Sequence, residues 1–319
     1  MTEIEINRHY ELVYPYEDLW GWEIALYLFV GGLVAGLMVF SGILGKRTEE
    51  EEPSRWVRWI PFAPPILISI GMFLLFLDLE FKSHVYRFYF TFELRSPMSW
   101  GAWLLVLIYP STILHGMGGL TQTEADKMVG WRPVQALRLG RILQTLRRWG
   151  QDHLTLLTKT NIGLGVALGL YTGILLGTLQ ARALWNSTML APLFLASGFS
   201  AGAALLLLFP LKSREKHLLV RWDLYVIGAE AVLLALFFID RASSCVLGRE
   251  QVGRFFGGDL TAPFWSLVIV AGLAVPAFLE MLEIRKNYRP TVMAPILILL
   301  GGIALRWILV AAGQTTPLV

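Results

Sequence analysis

A single cysteine, Cys245, and five histidines are all the thiol and imidazole chemistry that 319 residues contain. One cysteine excludes disulfides within the chain, cysteine-ligated iron–sulfur clusters and cysteine-type zinc sites. Charge is scarce too: Asp, Glu, Lys and Arg make up 16% of the residues and the net charge is only +3. No basic, aromatic-interleaved surface points to nucleic acid. The opening residues, with Glu3, Glu5, Arg8 and Glu11, lack a basic stretch ahead of a short apolar core, so no cleaved signal is expected.

What is abundant is apolar sequence, 55% of the chain with a mean hydropathy of +0.57. The charges cluster between long apolar stretches instead of alternating along them, which is the pattern of membrane spans. Eight spans are expected: Leu19–Leu44, Pro61–Leu79, Trp100–Gly119, Thr160–Ala181, Met189–Leu211, Trp222–Asp240, Ala262–Leu282 and Val292–Gly313. Each is near the ~20 residues that cross a hydrocarbon core, and in lipid such a span must be helical to pair its own backbone. The expected class is therefore an all-α integral membrane protein.

Lys and Arg set the orientation. The connections between spans 1–2, 3–4, 5–6 and 7–8 carry four, seven, four and three of them. The N-terminal segment and the other three connections carry one, three, one and three. The first set is expected on the cytoplasmic side and both termini on the outer side. Within the long connection between spans 3 and 4, Trp131–Trp149 sets apolar residues against Arg132, Arg138, Arg141, Arg147 and Arg148. That reads as a basic amphipathic helix on the cytoplasmic membrane surface.

A weak internal repeat links the halves. Leu28-Phe29, Gly32, Ala35-Gly36 and Lys46 recur as Leu193-Phe194, Gly198, Ala201-Gly202 and Lys212, and Asp78 and Asp240 each end a span. Ser96-Pro97-Met98-Ser99-Trp100 likewise parallels Thr261-Ala262-Pro263-Phe264-Trp265. The alternative is chance agreement between glycine-rich helices. An even number of spans per unit makes the repeats parallel. The expected division is an N-terminal segment 1–18, a four-helix bundle 19–181 containing the 131–149 segment, a second bundle 189–313 side by side with it, and a tail 314–319.

Ionisable groups within spans are costly on insertion and are candidates for function. The set is Glu23, Asp78, His115, Glu230, Asp240, Glu280 and Arg306. Glu280 and Asp240, at span ends, are expected to reach the headgroups. Glu23, Asp78 and Arg306 either converge on a buried acid–base cluster open to the outer face, or Asp78 and Arg306 form a structural ion pair. Glu230 and His115 either relay protons towards that cluster, or His115 is a satisfied histidine. No other histidine lies in a span, so the axial pair for a haem between helices is missing and no haem is expected.

Several stretches resemble the NrfD/PsrC family, the membrane subunits of polysulfide reductase and related complexes. They are Asp78-Leu79-Glu80 with Arg87-Phe88, then Ser96-Pro97-Met98-Ser99-Trp100-Gly101-Ala102-Trp103, and Trp20 to Gly36. Tyr171-Thr172-Gly173 with Trp185-Asn186, and Leu305-Arg306 to Ala312-Gly313-Gln314, complete the match. The resemblance implies a menaquinone- or ubiquinone-binding subunit with no redox centre of its own. It also implies a ferredoxin-like four-cluster iron–sulfur subunit, docked on the periplasmic face of the bacterial cytoplasmic membrane, leading to a molybdopterin enzyme or a multihaem cytochrome.

By the resemblance, Tyr171 contacts the quinone head group. The family's accompanying Asn and His fall here on Ile24 and Tyr27, so Glu23 and Tyr27, with Trp22 beside them, are the expected replacements. Asp78 and Arg306 match polar positions near the quinone and the proton route, and Arg87 and Arg95 are expected to meet the partner's acidic residues. The competing reading is a secondary transporter, for which Pro110 and Pro276 would mark broken spans.

Overall fold

The computed structural model describes residues 20–45, 52–79, 96–132, 138–179, 182–286 and 292–315, with a few single residues between them. Among these residues there are eight helices long and apolar enough to cross a membrane. Span 1 is Trp22–Leu44, span 2 Arg55–Asp78, span 3 Pro97–Gly119 and span 4 Leu154–Gly177. Span 5 is Leu190–Leu207, span 6 Ser213–Ser244, span 7 Thr261–Arg285 and span 8 Met293–Gln314. The chain is a multi-pass membrane protein, helical throughout its long elements among the described residues. The expected segment 1–18 lies outside the described residues, as do residues 316–319 of the expected tail.

Span 6 is the largest departure from the expected lengths, running 32 residues instead of ending near the hydrocarbon boundary. Its first turns carry Glu215, Lys216, His217 and Arg221, which hydropathy assigns to a connection but which continue the same helix. Residues 133–134 and 136–137 of the expected amphipathic segment lie outside the described residues. Arg138 adopts a left-handed φ of 52°, which a helix cannot propagate through, and the helix begins at Gly140 and runs to Asp152. Gly150 of that helix lies against the backbone of span 3, where a Cβ would sit 2.8 Å from the Leu114 carbonyl oxygen.

Span 1 is the most enclosed helix, with 83% of its central window buried, while span 7 has 28%. It neighbours spans 2, 4, 5 and 8. Spans 1–4 adjoin in the order 1–2–3–4–1, and spans 5–8 in the order 5–6–7–8–5. The two sets meet where span 5 packs against spans 1 and 4 and where span 8 packs against span 1, and the closest backbones are at the crossing of spans 1 and 5. Lipid tails are as apolar as leucine, so such a crossing is held by close packing and not by exclusion of water. Here it is made of glycine. A Cβ on Gly198 would fall 2.7 Å from the Gly32 carbonyl oxygen, and one on Gly36 would fall 2.9 Å from the Gly202 Cα. The glycines paired by the sequence repeat face one another in space.

Polar latches close both ends of the array. At one end the Trp20 N–H donates to Gln314 Oε1 at 2.7 Å and Gln314 Nε2 donates back to the Trp20 carbonyl at 2.8 Å. Trp185 stacks on Trp20 with centroids 5.2 Å apart and donates through Nε1 to the Leu309 carbonyl at 2.8 Å. At the other end, Arg58 Nε and Nη2 grip Glu124 at 2.9 and 3.0 Å, and Glu124 also completes a capping box with Thr121. Burial opposes ionisation of Glu124, but the Arg58 fork and the Thr121 hydrogen bonds outweigh it and hold its pKa down at about 2.

Because the folded pKa lies below the ordinary glutamate value of 4.5, this latch stabilises fully above about pH 4.5 and is lost as pH falls towards 2. The thermal midpoint of the detergent-solubilised protein is expected to drop more steeply across that window in wild type than in Glu124→Gln. Parallel curves would remove Glu124 from the acid response.

Candidate functional site

Four groups named by the sequence form a line from the start of span 1 inward. Glu23 and Tyr27 are one turn apart on the same face of span 1. At the end of span 2, Asp78 accepts from the Gly21 backbone and lies within electrostatic reach of Glu23. Further in, the buried Tyr27 and Tyr171 hydroxyls hydrogen-bond across spans 1 and 4. Trp22 is 48% exposed.

Tyr171 owes its position to the Ser-Pro-Met-Ser-Trp-Gly block. Pro97 stands in the first turn of span 3, where its missing N–H removes nothing from the helix. One turn on, Gly101 faces Tyr171 so closely that any Cβ would occupy the phenol ring's own space. The glycine of the motif is a seat for the tyrosine. Beside the pair lies a cavity of about 10 Å³ lined by Tyr27, Gly31, Ile68, Met72, Leu168 and Thr172.

Arg306 is not part of this group. It reaches from span 8 into the crossing of spans 1 and 5 and is fully buried. Its Nη1 donates to Ser197 Oγ at 2.9 Å and the Gly302 carbonyl at 3.0 Å, and Nη2 donates to the Phe194 carbonyl at 3.3 Å. The guanidinium carbon lies 5.7 Å from the Phe29 ring centre and 5.1 Å from that of Phe194, the two phenylalanines related by the repeat. Ser197 also hydrogen-bonds Glu230, whose charge opposes that of Arg306. The expected outer cluster thus divides: Asp78 stays with Glu23, and Arg306 is balanced by Glu230.

His115 stands apart from both. Asn161 Nδ2 meets its Nδ1 at 2.9 Å and Thr158 Oγ1 meets its Nε2 at 3.2 Å, both from span 4. Ser111 completes the cluster by donating to Asn161 Oδ1 at 2.9 Å. These partners all belong to spans 3 and 4, and His115 does not join Glu230. The expectation that Glu280 reaches the headgroups is corrected: it is 2% exposed, enclosed by protein. Asp240 is partly exposed, bound to Ser187 at 2.6 Å and Arg241 at 2.9 Å. Arg87 and Arg95 lie outside the described residues.

Sequence reasoning missed Asp223, which is fully buried on span 6 and accepts from Ser200 Oγ at 2.6 Å. Hydropathy placed it at the edge of a span, where a carboxylate attracts no notice. The signal was its spacing, seven residues and hence two turns before Glu230 on one helix face.

Among the described residues, eight helices long and apolar enough to cross a membrane, with polar groups sealed between them, define a polytopic membrane protein. Residues 7–318 match the family described as Polysulphide reductase, NrfD, and the chain belongs to that family. It is 30% identical over 326 residues to Protein NrfD of Escherichia coli strain K12, covering 95% of this chain and 98% of that protein. It is 29% identical over 315 residues to a polysulfide reductase chain of Wolinella succinogenes, covering 93% of the present sequence and 95% of that one. A selenate reductase subunit of Mesobacillus selenatarsenatis is 25% identical over 323 residues, covering 93% of the present sequence and 74% of that one.

Proposed function

We propose that this chain is the quinone-reactive membrane subunit of a respiratory oxidoreductase complex. It would exchange two electrons and two protons between the membrane quinone pool and a docked iron–sulfur subunit. The observation that carries the reading is the Tyr27–Tyr171 hydroxyl pair, sealed among apolar side chains and continued by Glu23 and Asp78 towards one end of the helices. Relatives named as parts of polysulfide and selenate reductases support placing that chemistry in a larger complex.

The donor set fits a quinone head group, because each ring carbonyl needs one donor and the site offers two phenols. When bound, the quinone supplies the redox couple. Tyr171 and Tyr27 orient the ring, and Glu23, one turn from Tyr27, takes or gives the proton. Asp78 shares that proton's field and leads it to the end of span 2. The cavity of about 10 Å³ holds about one water and no ring. Ring entry therefore displaces Ile68 and Met72 of span 2, whose outward face (Ile66, Ile70 and Phe73) is exposed to lipid.

In this reading spans 1–4 and spans 5–8 are two parallel bundles, and the Trp22 end of span 1 is periplasmic in a bacterial cytoplasmic membrane. The partner is a ferredoxin-like four-cluster iron–sulfur protein on that face, with a molybdopterin catalytic subunit or a multihaem cytochrome beyond it. The transporter reading is not favoured at span 3, where Pro110 lies inside an unbroken helix; at Pro276 span 7 passes from a π-helix into an α-helix.

Tyr171→Phe is expected to lower quinone-dependent turnover of the assembled complex at least tenfold, the equivalent of about 1.4 kcal/mol from one lost hydrogen bond. Yield and melting should stay close to wild type, since the ring still fills its seat at Gly101. Unchanged turnover would take Tyr171 out of the mechanism.

A further inference from the structure

The tyrosine site leaves one buried ionisable cluster unused, in the second half of the chain. Asp223 of span 6 and Glu280 of span 7 are 0% and 2% exposed, and their carboxyl groups interact with each other. Ser200 of span 5 satisfies Asp223 Oδ1 at 2.6 Å. Apart from the hydrogen bond that a proton between the two carboxyls would make, Asp223 Oδ2 and both Glu280 oxygens have no partner. The other charged groups acting on the pair are Glu230, towards Asp223, and Glu283, towards Glu280. Both are acidic. Buried charge must be paired, and a pair of carboxylates among further carboxylates lacks a positive occupant.

The geometry also gives the pair a successor. Asp223 and Glu230 lie two turns apart on one face of span 6, about 10 Å along the helix axis. Their hydroxyl partners on span 5, Ser200 and Ser197, lie one turn apart in the same sense. Beside Glu230, span 7 widens into a π-helix over Phe264–Ala274, which ends immediately before Val275-Pro276. π-helical turns of this kind recur at functional sites. The widened wall borders a cavity of about 10 Å³ lined by Ser197, Glu230, Gly272 and Gly301, room for about one water. Asp223 and Glu280 thus stand nearest the Lys216, Arg221 and Arg285 ends of their helices, with Glu230 and Arg306 deeper in.

We propose that Asp223 and Glu280 share a single exchangeable proton and form a proton-loading site that supplies Glu230. The pair takes one proton from water on the side of the Lys- and Arg-rich connections. It then gives that proton up towards the Glu230 carboxylate, two turns deeper on the same face of span 6, and is left as two carboxylates until it reloads. No electrons move in this step. The inference rests on the proposed orientation only for naming that side cytoplasmic. The shared proton itself depends on neither the quinone nor the partner subunits.

The test uses the complete complex from host membranes, wild type against Asp223→Asn/Glu280→Gln, by infrared spectroscopy with exchange into D₂O. Wild type is expected to show a protonated-carboxyl C=O band that shifts in D₂O, and the double variant is expected to lack it. A wild type without the band, or a double variant that retains it, overturns the proposal. If the double variant does not accumulate, Ser200→Ala is expected to displace the band by removing one hydrogen bond, and an unmoved band overturns the assignment. Sodium titration at constant ionic strength should leave the band unchanged; its loss on adding sodium would make this a metal-cation site instead. In vesicles with a trapped pH dye, the double variant is expected to take up protons at least tenfold more slowly per turnover, and equal uptake excludes the transfer to Glu230. Failure of wild-type quinone turnover would count against the proposed function and leave the infrared result to decide the pair.

Discussion

Gly198→Val is expected to abolish accumulation of folded protein, whereas Gly163→Val should be nearly neutral. Both substitutions place the same side chain on a glycine inside a membrane span. At Gly163 an added Cβ meets nothing within 4 Å. At Gly198 it would meet the Gly32 carbonyl oxygen at 2.7 Å and the Gly32 Cα at 2.9 Å. Flexible side chains yield to an intruder, but a helix backbone can do so only by moving the whole helix. Overpacking a core typically costs about 1–3 kcal/mol, and a backbone-to-backbone crossing belongs at or above the top of that range. At about 1.4 kcal/mol per factor of ten, the folded-to-unfolded ratio falls a hundredfold or more. Monodisperse yield in mild detergent and the thermal midpoint measure the effect. If the two variants behave alike, the glycine crossing does not hold the halves together.

The second large effect is expected from Arg306→Met. This change removes a guanidinium that binds Ser197, Gly302 and Phe194, lies between two aromatic rings and balances Glu230. Removing one member of a buried charge pair typically costs about 3–5 kcal/mol, because the other charge is left uncompensated. Arg306→Met/Glu230→Gln should therefore recover most of the stability that the single variant loses, a strongly non-additive outcome. Arg306→Lys should not rescue, since an ammonium lacks the flat face that two rings contact and the fork that spans several acceptors. Simple additivity of the two single variants would mean that Glu230 and Arg306 do not balance one another.

The number and order of the spans were legible because a 20-residue apolar run has one reading in lipid. So was the pairing of Gly32 and Gly36 with Gly198 and Gly202, since a repeat in sequence became a contact in space. The partners of the buried charges were much less legible. In a soluble helix the polar face reveals which side turns inward. In these spans lipid and core are equally apolar, so the sequence of span 8 does not reveal that Arg306 faces Ser197 instead of Asp78. Glu280 and Asp223 were hidden differently, by position. Hydropathy treats a carboxylate near a span end as reaching water, yet Glu280 is enclosed by neighbouring helices and span 6 begins nine residues, about two and a half turns, before its expected start. Trp185, Gly313 and Gln314 carried the family resemblance but say nothing singly; together with Trp20 they prove to be a latch.

The glycine crossing has a bearing on how such a molecule can work. Two helices whose backbones touch, with an arginine from a third pinned between matching phenylalanine rings at the same point, leave no lubricating layer of side chains. Rocking of the halves, as in alternating access, would drive these peptide groups into each other. In the proposed function, the hydrogen nuclei exchanged with the quinone are handed along helices that keep their places at this seam, and only span 2 yields to the ring.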